Sequence, residues 1–197
     1  MKKICVLAGI LTSLLITGIM MNIKWNRMQA DLAKRVFRFH VLANSDSSED
    51  QSLKMQVKEA VIAYMKRELP KSESMEQTKN WAKSNTGEIV ELAERVVEEN
   101  GYDYSVKAEV TTCDFPKKTY GDITFPKGEY EALRIEIGES KGQNWWCVLY
   151  PNLCFIDAVH AVVPDEGKED LKKVLEEDTY EMVTATTRFK IGWFFFK

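Results

Sequence analysis

The stretch Lys34–Gln51, KRVFRFHVLANSDSSEDQ, decides how the chain is read. From Lys34 to Leu42 the residues alternate. Phe37, Phe39 and Val41 point one way, and Arg38 and His40 the other, which is the period of a half-buried strand. Asn44-Ser45-Asp46 then supplies turn residues. Ser48 and Gln51 have capping-box spacing, and Glu49 and Asp50 suit the positive end of a helix. Leu53, Val57, Ala60, Val61 and Tyr64 follow at helical spacing to about Leu69, where Pro70 ends the helix.

Downstream, residues 73–84 read as a second, more polar helix anchored by Trp81. A third runs from about Thr86 to Asn100. Asn85 and Glu88 can cap it, Ile89, Leu92, Val96 and Val97 form its apolar stripe, and Gly101 stops it. The second half reads mostly as strand. Val106, Ala108 and Val110 alternate toward Cys113, and Pro116–Gly128 is a long connection. Leu133, Ile135 and Ile137 alternate again. A turn over Gly138–Gly142 and a strand from Trp145 to Tyr150 complete a hairpin. Glu166–Glu177 is a late, charged helix, and Phe189, Ile191, Trp193 and Phe195 alternate at the end of the chain. The expected fold is α+β: a single domain with an antiparallel or mixed sheet and helices on one face.

Upstream lies a different kind of sequence. Lys2-Lys3 precedes an apolar run, Ile4–Ile23, about 20 residues long, the length of helix that crosses a bilayer core. A basic start before an apolar run also describes a secretory signal. Met28-Gln29-Ala30 is a weak cleavage site, because Met is a poor fit two residues before the final Ala. Residues 1–30 are therefore read as a signal peptide or membrane anchor, with an extracytoplasmic domain over 31–197. The net charge is −3, and residues 1–30 carry Lys2, Lys3, Lys24, Arg27 and no acid. Removing those four cations leaves −7 for the domain. An acidic domain is a poor nucleic-acid binder, since phosphate binding needs a basic face.

Chemistry-bearing residues are sparse. Cys147 and Cys154 lie seven apart around Pro151. An exported compartment permits a bridge between them, and two buried thiols beside Trp145 and Trp146 are the alternative. The spacing is wrong for zinc, with only His160 nearby, so no metal site is expected. No cofactor motif is present. His40, Ser45 and Asp46 suggest a hydrolase triad by type, but Ser45 lacks a nucleophile elbow and adjacent residues rarely reach triad geometry. Glu129 and Glu131 would share a strand face, where paired carboxylates can do acid/base work but more commonly face solvent. Trp145 and Trp146 should point to opposite sides of their strand. An outward Trp beside Tyr150, Pro151 and Phe155 would make a good protein-contact anchor; the alternative is that structure covers the second face as well. No catalytic residue is assigned.

These same residues carry a resemblance. Arg38–Ser47 with Asp50-Gln51, then Phe115-Pro116, Lys118–Gly121 and Gly128–Arg134, then Gly142–Pro151 with Leu153–Phe155, resemble the signatures of the stage II sporulation protein R family. Lys117, Ser140 and Asn152 depart from the pattern. The resemblance implies a signal rather than an enzyme. Such a protein is made in the forespore and exported into the space between the forespore and mother-cell membranes. There it activates a membrane-bound aspartic protease, leading to processing of a mother-cell sigma factor precursor. The expected partners are that protease and, through the N-terminal segment, the membrane. The expected contact residues are Trp145, Trp146, Tyr150 and Phe155, with Arg38, His40, Asn44 and Asp46 as the second candidates. An extracytoplasmic hydrolase acting on the cell envelope is the alternative.

Overall fold

The computed structural model describes residues 2–70, 74–154 and 163–184. In chain order they form α1 (Lys2–Arg35), β1 (Phe37–Leu42), α2 (Ser48–Glu68), α3 (Met75–Ser84), α4 (Thr86–Glu99), β2 (Val106–Phe115), β3 (Lys118–Tyr120), β4 (Ile123–Phe125), β5 (Gly128–Ile137), β6 (Asn144–Tyr150), α5 (Asp165–Val174) and α6 (Glu177–Thr184). The fold is α+β with a mixed sheet. The alternating Phe189–Phe195 segment lies outside the described residues.

The main sheet has the order β2-β5-β1-β6, and β3 and β4 form a separate two-stranded sheet. β1 runs parallel to β5, with Phe39 opposite Leu133, and antiparallel to β6, with Phe39 opposite Cys147. β2 pairs antiparallel with β5 along its whole length. The expected hairpin between β5 and β6 is therefore absent, because β1 stands between them. Two runs close in sequence look like hairpin partners until a strand from far away claims the gap.

All six residues of β1 are buried, Arg38 and His40 included. This corrects the half-buried reading, and the reason is that both faces of the sheet are covered. On one face Phe37, Phe39 and Val41 join Leu133, Ile135 and Leu149 beneath α2, α3 and α4, which contribute Leu53, Val57 and Val61, Ala82, and Ile89, Ala93 and Val97 in turn. On the other, Ala132 and Val148 lie in a second core with Phe115, Ile123, Phe125, Tyr130, Leu171, Leu175 and Val183. Leu32 and Val36, from the end of α1 and just after it, complete that core. The expectation of helices on one face is corrected: α2–α4 cover one face, and α1, α5, α6 and the β3–β4 hairpin cover the other, because each face of the sheet carries an apolar core that needs burial. The long connection over Pro116–Gly128 is that hairpin.

The helix starts are local chemistry. Ser47, one residue before the expected cap, accepts the Asp50 N–H at 3.1 Å and opens α2. Ser74 caps α3 through the Gln77 N–H. Asn85 does not cap α4 with its side chain, which instead donates to Trp81 O at 2.8 Å and accepts from Tyr64. Among the described residues no helix is long and apolar enough to cross a membrane. Eleven large apolar side chains between Leu7 and Trp25 are nonetheless exposed, at 44–68% of their full surface.

Because β6 must return on the far side of β1, the loop 138–143 passes over the end of β1 in close contact. A Cβ on Gly142 would collide with the Ser45 carbonyl, and one on Gly138, at φ +57°, with the Asn44 side chain. Gly87, in the first turn of α4, has nothing within 4 Å. Gly142→Ala should cost about 2 kcal/mol or more in urea unfolding, because backbone has to move. Gly87→Ala should instead be neutral to stabilising by up to about 1 kcal/mol, as Ala replaces Gly in a helix. Equal effects at the two glycines would refute the close approach.

Candidate functional site

Two assemblies occupy the residues that the sequence singles out. The first is a clasp at the C-terminal end of β1. Asp50 is buried and accepts hydrogen bonds from Asn44 Nδ2 at 2.8 Å and Ser45 Oγ at 2.5 Å. These bonds, the Ser45 one foremost, hold its carboxyl below the usual range. Asn44 Oδ1 accepts the Glu139 N–H at 2.9 Å, and Asp46 Oδ1 the Gln143 N–H at 2.7 Å. Lys54, buried in α2, donates to Gln143 O at 2.9 Å and to Gln51 Oε1 at 2.5 Å. The clasp thus ties the turn after β1, the start of α2 and the loop before β6 into one unit.

The second assembly lies on the reverse face of β1. Arg38 has no exposed surface. Its Nε donates to Cys147 O at 3.0 Å and one terminal nitrogen to the Tyr120 hydroxyl at 3.0 Å. Among the described residues no carboxylate pairs with it. Four rings surround the guanidinium instead, with Phe115 at 4.4 Å, Tyr130 at 5.0 Å, Phe125 at 5.1 Å and Tyr120 at 5.9 Å from ring centroid to charge centre. Each desolvated cation–π contact of this kind contributes roughly 1–2 kcal/mol, which offsets part of the cost of burying the charge. Beside it His40 stacks on Trp146 at 4.9 Å and lies 5.1 Å from the Phe115 ring. Burial, with Arg134 and Arg38 nearby, pushes the His40 imidazole down to about 3. Cys113 Sγ is 3.4 Å from His40 Nε2, and burial pushes its thiol up to about 11. A neutral imidazole beside a protonated thiol is the opposite of an activated nucleophile.

The structure separates the residues of the hydrolase alternative. Ser45 and Asp46 are spent in the clasp, while His40 faces the aromatic cluster. Glu131 pairs with Lys79 of α3 at 3.1 Å, and Glu129 stays exposed. Among the described residues no group of three or more His, Cys, Asp or Glu could hold a metal ion.

Cys147 and Cys154 form a disulfide, with Cα atoms 5.6 Å apart. Closing so short a loop contributes about 2–3 kcal/mol on the chain-entropy estimate. Trp145 and Trp146 do point to opposite faces. Trp145 meets Phe39 edge-on at 5.6 Å beneath Lys58, and Trp146 joins the reverse-face core. Both are half-buried, which corrects the division into one core ring and one free ring: each face has its own core, so each ring is committed to one. Arg38 and His40 are buried and offer a partner no surface, whereas Asp46 is exposed and Asn44 half-buried. Tyr150 is buried but lines a cleft of about 640 Å³ with Pro151, Asn152, Lys34, Arg35 and Asp170. Phe155 and His160 lie outside the described residues. Sequence reasoning missed the ring cage around Arg38. Its signal was the clustering of Phe115, Tyr120, Phe125 and Tyr130 within and beside the Pro116–Gly128 connection.

Two outcomes follow for these residues. Trp145→Ala and Trp146→Ala should each lower stability by about 2–4 kcal/mol, slightly below the cost of a fully buried ring, measured by denaturant unfolding. A near-zero loss at either would restore the free-ring reading. His40 is held neutral in the folded chain, while the unfolded imidazole titrates near 6.5. The unfolded state therefore binds the extra proton as pH falls, so stability is full above about 6.5 and declines toward about 3. The slope should approach about 1.4 kcal/mol per pH unit below 6.5. His40→Gln should flatten the decline between pH 6 and 4.5, and His160→Gln serves as the comparison. An unchanged slope in the His40 variant would show that the ring is not held neutral.

Against this geometry stand the comparisons with known proteins. The family model for stage II sporulation protein R matches residues 33–160. The chain is also similar to "Stage II sporulation protein R" of Bacillus subtilis (strain 168), at 39% identity over 153 residues, which is 77% of this chain and 68% of that protein. No solved structure matches. The matched span begins just before β1 and takes in both the clasp and the ring cage.

Proposed function

The chain belongs to the stage II sporulation protein R family, and from that membership we propose that it is an exported sporulation signal that activates a membrane-bound aspartic protease. The protease then processes the precursor of a mother-cell sigma factor. The observation that carries this reading is how the family's signature residues are used. Asn44, Ser45, Asp46, Asp50 and Gln51 bond to one another and to the 138–143 loop. Arg38 is enclosed by rings. Such residues shape and stiffen a surface, and leave no activated nucleophile or acid/base pair among them.

A signal acts by binding the active state of its target better than the inactive one. The surface we propose for that contact is the Gln143–Phe155 segment, in which Tyr150, Pro151 and Asn152 line the cleft beside Lys34 and Asp170. The disulfide favours a stable shape there and accords with a compartment outside the cytoplasm. The basic, apolar start of the chain supports export to the space between the two membranes.

The test is reconstitution in a non-sporulating bacterium. The full chain, the candidate protease and its sigma factor precursor are expressed together, and precursor cleavage is followed by immunoblot. Cleavage should require all three and should disappear when charged residues replace the apolar run Ile4–Ile23, which keeps the domain in the cytoplasm. Cleavage without the chain, or with the cytoplasmic version at equal abundance, would reject the proposal.

A further inference from the structure

The main sheet ends on β2 and β6, and the two edges differ. β6 closes part of its own: the Val148 carbonyl accepts the Leu153 N–H at 3.2 Å and the Cys154 N–H at 3.0 Å, so the chain folds back along it. β2 is ten residues long and pairs with β5 in one unbroken register, with no bulge and no proline. The Gly138 N–H donates to Ser105 O at 2.9 Å, and that bond fixes which peptide groups face which way. In an antiparallel ladder the direction alternates from residue to residue. Lys107, Glu109, Thr111 and Cys113 therefore spend their peptide groups on β5. Val106, Ala108, Val110, Thr112 and Asp114 turn theirs outward. Among the described residues nothing bonds to these outward peptide groups. Such a row on a long, straight edge is a template for another strand.

What can lie there is limited by what lies above it. α4 packs over β2, and Val106, Ala108 and Val110 belong to the core beneath the helices. A second copy pairing through its own β2 would set the two strands about 4.8 Å apart. It would bring two α4 helices together on one side of the joined sheet, where packed helices need about 8–10 Å. A bare extended segment carries no such layer. Charge narrows the occupant further. Glu109 and Asp114 are exposed on the strand against Lys107, and α4 carries five Glu against one Arg. The edge is acidic, so its complement is basic.

We propose that the open edge of β2 receives an extended, Lys- or Arg-bearing segment of the membrane-bound protease, added to the main sheet as a further strand. This rests on the protease reading above and gives it a second contact, at the edge opposite β6 and the Gln143–Phe155 segment. The added strand bonds the outward peptide groups from Val106 to Asp114, which supplies affinity with little demand on its sequence. Its cations meet Glu109 and Asp114, which fixes its register.

The full chain, produced in a bacterium with an export pathway, is titrated against the detergent-solubilised candidate protease at low salt. Thr112→Pro removes one outward N–H and no bond to β5, a change that edge strands accept. Thr112→Val keeps that N–H. The Pro variant should bind at least about tenfold more weakly, the scale of one lost hydrogen bond, and the Val variant within about twofold of the original. Glu109→Lys combined with Asp114→Lys leaves the ladder intact and should weaken binding at least about fivefold, as should added salt. Amide hydrogen exchange at Ala108, Val110 and Thr112 should slow at least about tenfold in the complex, a readout that stands even where the Pro variant unfolds. Unchanged exchange, or unchanged affinity in both the Pro and the Lys variants, overturns the inference and leaves the proposed function with its Gln143–Phe155 contact. A dimer of the chain alone that Thr112→Pro abolishes overturns it in favour of a second copy. No binding to the protease at all removes both readings.

Discussion

β1 has to be buried on both sides at once. It is six residues long, lies between β5 and β6, and every side chain along it is enclosed. One side needs only apolar residues and meets α2–α4. The other carries Arg38 and His40, and burying those two obliges the chain to surround them. The Phe115, Tyr120, Phe125 and Tyr130 rings do so. The separate β3–β4 sheet exists where two of those rings must be held. Asp122, in its turn, pairs with Lys168 of α5 at 2.6 Å and accepts the Val163 N–H at 3.0 Å, which locks the hairpin to the C-terminal helices. The reverse face is thus organised around a cation that no carboxylate of the described residues meets.

The same strand explains the clasp. A loop leading to the far side of β1 has to cross its end, and Asn44, Ser45 and Asp46 are the residues it crosses. Their polarity is used up by peptide groups of the crossing loop and by Asp50. This is why a sequence that advertises Ser, His and Asp within seven residues holds no triad: consecutive strand and turn residues face different ways, and each has its own structural debt. It also accounts for the family's signature lying in three separated blocks. The first block enters both assemblies, the middle block supplies rings of the cage, and the third supplies Gln143 to the clasp and the Cys147 carbonyl to Arg38.

Much of this was legible. The helices α2, α3 and α4 follow from apolar spacing and breakers, because local periodicity reports local structure. The opposite orientation of Trp145 and Trp146 follows from the strand period alone. What was not legible depends on distant partners. The alternation of Phe37 to Val41 suggests one wet face, and only the arrival of the β3–β4 hairpin and the last helices makes it dry. The Gly138–Gly142 turn suggests a hairpin, and only β1 shows otherwise. α6 was missed because its eight residues are mostly charged or polar, and only Val183 and Thr179 are buried. The ring cage was missed because no sequence period connects Arg38 to residues about 80 to 90 positions away.

The central place of an early strand has a consequence for how the chain comes to exist. Arg38 and Cys147, bonded across β1 and β6, are 109 residues apart in sequence, and Arg38 and Tyr120 are 82 apart. Folds dominated by such distant pairings have high contact order and form slowly. Nothing that begins at β1 can close until β5 has been made, and the sheet is complete only with β6, late in synthesis. Chain emerging at about 5–20 residues per second therefore spends several seconds without a stable core. The export proposed above would gain from that delay, since a chain passing a narrow channel in extended form is kept from folding by its topology until β6 is through.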